Sequence, residues 1–332
     1  MKHANISIFV PHMGCPHKCA FCNQHVITGG EKAPSPEDVF AACKRAAETL
    51  PEPSNAEIAF FGGSFTAIER GYMLSLLEEA YKQVKHYGFK GIRVSTRPDA
   101  INNGILSVLK KYSVTAVELG AQSMVDSVLN ANLRGHTSEH VRNAARLIKN
   151  AGFELGLQMM TGLYKDTKEG AVYTAKELAK LHPDTVRIYP AVILKNTHLD
   201  ELYKQGKYTP PILSETIDLC AVLLEFFYKK NIPVIRLGLH KIDESEFVAG
   251  GWHPSLRELC ESRIYFKIVL QKLKSLAPGG EFFIYTNPKE MSKMNGNKKE
   301  NIEKLRDMGY NCIVKPDEKL GIYEVVCKSA TY

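Results

Sequence analysis

The sequence predicts an α/β fold in which six strand–helix repeats form either a βα barrel or an open wound sheet, followed by a smaller α/β appendage. Two observations support this prediction. Short apolar runs alternate with amphipathic helical stretches as far as Tyr189, a pattern typical of parallel sheets covered by helices. The alternation then loosens through a segment that contains Pro190 and Pro211. Folds of this kind place their active sites at the carboxyl ends of the strands.

The six repeats are defined by apolar runs and by residues that begin or end helices. The predicted strands are Ile6–Val10, Glu57–Phe61, Gly91–Ser95, Ala116–Leu119, Glu154–Met160 and Thr185–Tyr189. The predicted helices are Pro36–Thr49, Gly71–Tyr87, Ala100–Lys111, Ser138–Ala151 and Lys168–Leu181. Ser35 and Pro36 form a helix start signal, whereas Gly88 and Gly152 follow predicted helix ends.

The remaining chain predicts a seventh strand and then a different pattern from about Lys241. A long helix at about Leu213–Lys230 precedes the strand Val234–Gly238. Beyond these we predict helices at Ser255–Leu276 and Lys299–Met308, and strands at Glu281–Thr286, Asn311–Val314 and Tyr323–Cys327. The polar segment from Met294 to Lys299 predicts an exposed loop. We therefore divide the chain into a core domain, residues 1–240, and a C-terminal α/β domain, residues 241–332.

Composition and charge exclude several classes of protein. The 332 residues are 44% hydrophobic and 24% charged, which excludes an intrinsically disordered or fibrous chain. No apolar stretch is long enough to cross a membrane, and the N-terminal run that stops at Pro11 lacks a secretory cleavage site. We therefore expect a cytoplasmic protein without a membrane partner. The net charge of +7 weakly favours an anionic partner such as RNA, although the basic residues are spread as on solvated helix faces.

The eight cysteines fall into two groups. Five are scattered singly in apolar surroundings and are expected to be reduced core residues: Cys43, Cys220, Cys260, Cys312 and Cys327. The other three, Cys15, Cys19 and Cys22, lie within eight residues just after the first strand. Three thiolates are one short of a closed zinc site or a fully ligated iron–sulfur cubane. A zinc site would recruit His12, His17 or His25, whereas a [4Fe–4S] cluster would keep one iron open for a small molecule.

Glycines and polar residues follow the ends of the later strands. Gly62, Gly63 and Ser64 end the second strand, where glycines permit close backbone approach to a ligand or form a plain tight turn. Similar strings run from Ser95 to Asp99, Glu118 to Ser123, Leu133 to Thr137 and Gln158 to Leu163. Taken singly, each also fits a surface ion pair, a cap or a solvated helix start. Taken together they would line one mouth of a barrel, as ligand binding requires.

The spacing Cys15-x3-Cys19-x2-Cys22, with the aromatic Phe21 before the last cysteine, resembles the cysteine loop of the radical S-adenosylmethionine (SAM) enzymes. The resemblance implies a [4Fe–4S] cluster on these cysteines, with SAM bound through its amino and carboxylate groups to the open iron. It also implies reductive cleavage of SAM to methionine and a 5′-deoxyadenosyl radical, which abstracts hydrogen from a substrate. The fold it implies is a partial (β/α)6 TIM-type barrel, here with a small C-terminal α/β extension.

From about Ile6 to Tyr208 the strings are similar to one branch of that family, the radical SAM domain of the catalytic subunit of Elongator and its bacterial relatives. The resemblance implies SAM contacts at Phe21, Gly62, Gly63, Ser64, Ser95, Arg97, Glu118, Gln122, Arg134, Met160 and Tyr189. It assigns Arg134 to the SAM carboxylate, Glu118 and Gln122 to the ribose or methionine part, and Met160 with Tyr189 to the adenosyl group. Ser64 stands where many members carry Glu.

Two departures limit what this branch implies. Fourteen residues precede Cys15, where the Elongator subunit has a long RNA-binding region, and the segment after residue 240 is too short for its acetyltransferase domain. The acetyl-CoA-dependent reaction on wobble uridine is therefore not expected. We expect an enzyme that needs a reducing electron donor and acts on tRNA or on a small metabolite. The alternatives are a Cys3His zinc module that binds RNA or protein without catalysis, and a redox protein that uses its cluster only for electron transfer.

Overall fold

A parallel sheet forms the centre of the protein in this computed structural model, which describes residues 4–10, 15, 19–23, 33–239, 242–276 and 279–330. The described strands are β1 (Ala4–Val10), β2 (Ala56–Gly62), β3 (Gly91–Thr96), β4 (Val114–Gln122), β5 (Glu154–Thr161), β6 (Thr185–Pro190), β7 (Ile193–Leu194), β8 (Val234–Leu237), β9 (Phe247–Ala249), β10 (Glu281–Thr286), β11 (Asn311–Pro316) and β12 (Val325–Ser329). Seven of them pair in the order β1-β2-β3-β4-β5-β6-β8, with every neighbouring pair parallel. The sheet curls into a half-barrel, which confirms the predicted fold class.

Helices connect the strands and cover the sheet. They are α1 (Pro36–Thr49), α2 (Arg70–Tyr87), α3 (Asn103–Lys111), α4 (Asp126–Ala131), α5 (Ser138–Asn150), α6 (Lys168–Ala179), α7 (His198–Lys204), α8 (Leu213–Lys229), α9 (Leu256–Leu273), α10 (Met291–Asn295) and α11 (Glu300–Asp307). Helix α1 begins where predicted because Ser35 and Asp38 form a capping box around Pro36. Helix α2 ends at Gly88, which takes the left-handed conformation with φ 70°. None of the described helices is both long and apolar enough to span a bilayer.

The strands of the half-barrel alternate between two environments. In β4, Val117 and Leu119 pack into the main apolar core under the helices, whereas Glu118 and Gln122 point to the inside of the barrel. The same alternation recurs along the other parallel strands, which places apolar residues outside and mostly polar residues inside, with Phe9, Phe61 and Met160 as apolar exceptions. The sequence predicted these strands from their apolar residues, and the polar residues between them supply the interior of the barrel.

Several short elements were missed by the sequence prediction. Helices α4 and α7 have six and seven residues, and strands β7 and β9 have two and three. Elements of this length are too short to show a hydrophobic period. The string from Leu133 to Thr137 forms a loop that ends in Thr137, the N-cap of α5. This loop carries Arg134 and His136, both buried.

The C-terminal part contains a second sheet of three strands in the order β11-β10-β12. One of its faces packs with α9 and α11 around a separate apolar cluster that includes Phe282, Ile284 and Leu305. Met294 is fully buried in that cluster, so the predicted exposed loop does not begin at this residue, whereas Asn297, Lys298 and Lys299 are exposed as predicted. The apolar Met294 side chain fills the cluster, while the polar residues that follow it form a helical turn. The division between residues 240 and 241 stays a prediction.

We predict that Phe60→Ala lowers the free energy of unfolding by about 3–5 kcal/mol. The Phe60 ring is fully buried and stacks on Phe65 with ring centroids 4.5 Å apart, so its removal leaves a cavity in the main core. Urea unfolding followed by circular dichroism measures the loss. Phe40→Ala is the matched control, because this ring on α1 is 44% exposed and its loss should cost less than about 1 kcal/mol. Equal losses in the two variants would contradict the assignment of the core.

Candidate functional site

A cavity of about 540 Å³ opens at the carboxyl ends of the parallel strands. The residues predicted as site residues that line it are Cys15, Cys19, Phe21, Cys22, Gly62, Gly63, Ser64, Ser95, Arg97, Gln122 and Arg134. The sequence analysis missed Asn23 and Asn196 on the same wall, because isolated asparagines carry no motif. The cysteine loop and the strand-end strings therefore meet at one place, as the topology of parallel strands requires.

A second cavity of about 210 Å³ adjoins the first, and the two share six lining residues: Phe21, Cys22, Gly62, Ser95, Gln122 and Gln158. Met160 and Tyr189, the remaining predicted residues of the adenosyl group, line this second cavity. Much of its wall is apolar and was not foreseen from the sequence: Phe9, Phe61, Val192, Leu194, Leu239 and Ile242. Small apolar residues after β6 and β8 gave no signal of a site, because they are indistinguishable from core residues in the sequence.

The described part of the cysteine loop is held by backbone hydrogen bonds to distant segments. Ala20 N–H donates to the carbonyl of Asn132 at 3.0 Å, and the Ala20 carbonyl accepts from Leu199 N–H at 2.9 Å. Cys22 N–H donates to the Cys19 carbonyl, also at 3.0 Å. The loop is thereby fixed between the turn after α4 and the start of α7. His12, His17 and His25, the predicted fourth ligands of a zinc site, lie outside the described residues.

The thiols of the loop lie in a site that is partly desolvated. Burial raises the pKa of Cys15, and the neighbouring Cys19 raises it further, against a hydrogen bond from the Ser64 backbone and the charges of Arg97 and Arg134. Across the ranges that the structure describes, no group of three His, Cys, Asp or Glu side chains is close enough together to hold a metal ion. The three thiols do line one cavity wall, and sulfur ligands are the chemistry that iron–sulfur clusters and zinc require.

The glycine turn at the end of β2 is forced by contact with β1. Gly62 has φ 107°, and a Cβ atom there would lie 2.8 Å from the Val10 carbonyl oxygen. That oxygen accepts a hydrogen bond from Gly63 N–H at 2.7 Å. The Ser64 hydroxyl lies 2.8 Å from Thr96 Oγ1 and accepts from the backbone N–H of Arg97 at 3.2 Å. The turn thus presents main chain to the cavity, while the Ser64 hydroxyl joins β2 to the end of β3.

Two buried guanidinium groups, those of Arg97 and Arg134, join separate segments of the chain at this wall. Arg97 donates to both oxygens of Asp99, at 3.0 and 2.9 Å, and to the Arg134 carbonyl at 2.6 Å. Burial favours a higher pKa for Asp99, but its hydrogen bonds and charge pairing with Arg97 hold that pKa below the ordinary value. Arg134 donates to Cys19 Sγ at 3.1 Å and to the Gly120 carbonyl at 2.6 Å. Arg134 therefore ties the cysteine loop to the end of β4.

Three polar atoms at this wall have no hydrogen-bond partner among the described residues: Arg97 Nη1, Arg134 Nε and Gln122 Oε1. Gln122 lies at an irregularity in the pairing of β4 with β5 and has φ 63°. A bulge at a strand end re-aims the side chain, here into the cavity. Buried polar atoms normally have partners, so two donors and one acceptor on residues that line a cavity fit a ligand that carries both kinds of group.

Glu118 lies beneath the two cavities and lines neither. Arg187 approaches both of its oxygens, at 3.0 Å to Oε1 and 2.9 Å to Oε2. Arg93 also contacts Oε1 at 3.3 Å, and Gln158 donates to Oε2 at 2.9 Å. With both oxygens engaged, Glu118 supports Arg187 and Gln158 in this structure. Its predicted direct role toward the ribose or methionine part stays a prediction.

His136 is buried beside the two guanidinium groups. Its Nε2 lies 3.2 Å from the Ala121 carbonyl and donates to it in the neutral ring, while Nδ1 has no partner among the described residues. Burial, reinforced by the positive charges of Arg134 and Arg97, lowers the pKa of His136 to about 3. The ring is therefore neutral at physiological pH and serves as a hydrogen-bond donor to β4.

The sequence matches two known protein families over adjoining stretches. The Radical SAM superfamily matches residues 9–178, more than half of the chain. The Radical SAM C-terminal domain matches residues 183–265. The first match covers the end of β1, the cysteine loop and the four strands from β2 to β5.

The relatives of this chain match it over only part of its length and over only part of their own length. The tRNA uridine(34) acetyltransferase of Methanocaldococcus jannaschii is 28% identical over 256 residues, which cover 65% of this chain and 47% of that protein. The Elongator complex protein 3 of Homo sapiens is 30% identical over 238 residues, 63% of this chain and 41% of that protein. The chain thus spans less than half the length of these relatives.

A solved structure has the same fold. The archaeal Methanocaldococcus infernus Elp3 with an N-terminal deletion superposes with a TM-score of 0.63 at 22% sequence identity. The superposition covers 80% of this chain and 63% of that chain.

We predict that acidification weakens the fold through His136. The native pKa of about 3 lies below the ordinary 6.5, so below pH 6.5 the unfolded chain binds a proton that the native protein does not. Between pH 7 and pH 5 this linkage removes about 2 kcal/mol from the free energy of unfolding. Urea unfolding at pH 7, 6 and 5 measures it.

The variant His136→Gln keeps a donor for Ala121 and removes the titrating ring, so its stability should depend less on pH than that of the native chain. His86→Gln, at an exposed position on α2, should retain the native dependence. Parallel pH profiles for the native chain and His136→Gln would show that His136 does not carry the effect.

Proposed function

Because the chain belongs to the radical SAM superfamily, we propose that Cys15, Cys19 and Cys22 hold a [4Fe–4S] cluster and that the adjoining cavity binds SAM. The observation that supports this most is the convergence of the three thiols, the glycine turn and two buried arginines on one cavity at the strand ends. When bound, the reduced cluster supplies the electron that cleaves SAM to methionine and a 5′-deoxyadenosyl radical, which abstracts hydrogen from the substrate.

The residues on this wall fit a [4Fe–4S] cluster with one iron free of protein ligands. Three cysteines supply the thiolates, and a cubane takes four ligands. Arg134, already 3.1 Å from Cys19 Sγ, places a positive charge beside thiolates that carry negative charge. The proposal also requires an electron donor, which we take to be a separate reducing partner.

The same wall fits the two charged groups of SAM. We assign the SAM carboxylate to Arg134 and Arg97, whose Nε and Nη1 atoms respectively lack partners among the described residues. We assign the amino group of SAM to the main chain of Gly62, Gly63 and Ser64. Gln122 Oε1 is a free acceptor at a position suited to an ammonium or a ribose hydroxyl. The assignments to Arg134, Arg97 and Gln122 each use a side-chain atom that has no hydrogen-bond partner among the described residues.

The second cavity is the proposed place of the adenosyl group and the substrate. Met160 and Tyr189 line it beside apolar side chains such as Phe9 and Leu239, which exclude water. Exclusion of water and of competing hydrogen donors suits a reactive carbon radical. Burial raises the pKa of Tyr189 against the charge of the neighbouring Arg187, so the phenol is protonated at physiological pH.

The substrate class that we propose first is tRNA. Two relatives are described as a tRNA uridine(34) acetyltransferase and as Elongator complex protein 3, and they match this chain over its barrel. The net charge of +7 suits a polyanion. A small metabolite is the second candidate, because the two cavities together are large enough to enclose one beside SAM.

The first test is SAM cleavage by the anaerobically reconstituted protein. With dithionite and SAM, the native chain should form 5′-deoxyadenosine, measured by liquid chromatography. Cys19→Ala should reduce the yield at least about a hundredfold, because a cluster with two protein thiolates is not retained. Cys312→Ala is the matched control, since this cysteine lies on β11 of the C-terminal sheet. Iron content and the visible spectrum are measured on all three proteins.

A colourless protein that binds zinc and leaves SAM intact after iron reconstitution would refute the proposal and support the zinc-binding module. A brown protein whose spectrum does not respond to SAM would support a cluster used for electron transfer alone. Unfractionated tRNA added to the active protein should raise the rate of SAM cleavage if tRNA reaches the second cavity. An unchanged rate with tRNA would favour a small metabolite.

We expect Gln122→Asn to weaken SAM binding roughly fivefold to tenfold. Asparagine tolerates the positive φ at this position, but its amide is one carbon shorter and withdraws the acceptor from the cavity. Isothermal titration of the reconstituted protein with SAM measures the affinity. Gln271→Asn, at an exposed position of α9, is the matched control. Unchanged affinity in Gln122→Asn would remove this residue from the SAM contacts.

A further inference from the structure

The C-terminal sheet has one buried face and one open face. Phe282 and Ile284 of the central strand β10 point into the apolar cluster, so the residues between them point the other way. On the open face, Ile313 of β11 is 50% exposed and Val326 of β12 is 36% exposed. These values exclude a described element packed across the face. The sheet therefore presents a flat surface to solvent beside the half-barrel.

Two aromatic rings occupy the centre of this open face. Phe283 and Tyr285 lie two residues apart on β10, about 7 Å from each other along the strand. Both are partly exposed. Exposed aromatic residues on the middle strand of an open sheet are unusual, because burial of each ring would stabilise a fold more than exposure does.

Two lysines from the outer strands lie over these rings. Lys315 Nζ of β11 is 3.5 Å from the centroid of Phe283, and Lys328 Nζ of β12 is 5.5 Å from the centroid of Tyr285. The register brings them there, since Tyr285 pairs with Lys315 and Phe283 pairs with Lys328. Each lysine thus reaches diagonally to the ring beyond its direct partner. The open face combines two π surfaces with two mobile positive charges.

We propose that the open face of this sheet binds a single-stranded segment of RNA. Bases stack on exposed aromatic rings without regard to sequence, and lysines beside the rings bind the phosphates between them. Each ammonium now lies where a base would stack, and its flexible four-carbon stem allows it to move to a neighbouring phosphate. The choice of RNA rests on the proposed function, whereas the stacking surface rests on the sheet alone.

The charge of the face favours a polyanion over a second copy of this chain. The ammonium groups of Lys315 and Lys328 reach from the outer strands over the central strand, and Glu281 is at one end of that strand. Two copies meeting face to face would bring four lysines together in a desolvated interface, which opposes self-association. A duplex is a poorer occupant than a single strand, because its bases are already stacked on one another.

Fluorescence anisotropy of a labelled, mixed-sequence RNA octamer tests the proposal on the reconstituted full chain. The double variant Phe283→Ala/Tyr285→Ala should bind at least about tenfold more weakly than the native chain. The double variant Lys315→Gln/Lys328→Gln keeps the rings, and its plot of log affinity against log salt should flatten by about 1.4 for two lost phosphate contacts. Phe40→Ala/Tyr173→Ala, which removes exposed rings from α1 and α6, should bind as the native chain does.

Circular dichroism tests whether each variant is folded. If the ring variant does not fold, the salt dependence of RNA binding by the lysine variant tests the proposal instead. Native affinity in the folded ring variant, or no binding by the native chain, would overturn the proposal. The proposal would also be overturned if the native chain were a dimer, the ring variant were a monomer, and both bound RNA with the same affinity. The 5′-deoxyadenosine yield of the same preparations reports separately on the proposed radical chemistry, because this surface lies outside the residues that line the two cavities.

Discussion

The architecture of the half-barrel depends on charged side chains buried inside it. Glu118 of β4 lies between Arg93 of β3 and Arg187 of β6, and Arg93 also contacts Glu57 of β2 at 2.8 Å. A charge moved from water into a protein interior costs several kcal/mol, so each of these groups requires its opposite partner. If β2, β3, β4 or β6 shifted by one residue, its charged side chain would point away from the barrel interior and into the apolar core under the helices. The ion pairs and the apolar packing therefore specify the same strand register.

This buried network also forms the floor on which the candidate site is built. Arg187 lies over the ring of Phe61, 5.1 Å from its centroid, and Gln158 bridges the network to the wall of both cavities. Above that floor, Arg134 joins the cysteine loop to β4, and Ala20 joins it to α7. Residues more than a hundred positions apart are thereby fixed in one wall. Such preorganisation suits a site that must hold a charged cofactor without reorganising around it.

The sequence predicted the parallel strands well because each carries apolar residues at every second position and is bounded by turn residues. It also predicted which strand ends meet, since parallel topology alone brings them to one edge. The positive φ that turns Gln122 into the cavity arises from strand pairing, which no local pattern records. The engagement of Glu118 by two arginines likewise depends on side chains from separate strands. The apolar residues of the second cavity could not be distinguished from core residues by composition.

Helix α9 belongs to two apolar cores at once. Leu256, Cys260 and Ile264 pack into the main core, while Val269 and Leu273 pack under the C-terminal sheet. If either core unfolds, one half of this helix loses its packing partners, and a half helix of about nine residues has little stability of its own in water. The two cores consequently share one cooperative transition. A ligand bound at the barrel mouth then raises the melting temperature of the distant sheet through mass action alone, without touching it.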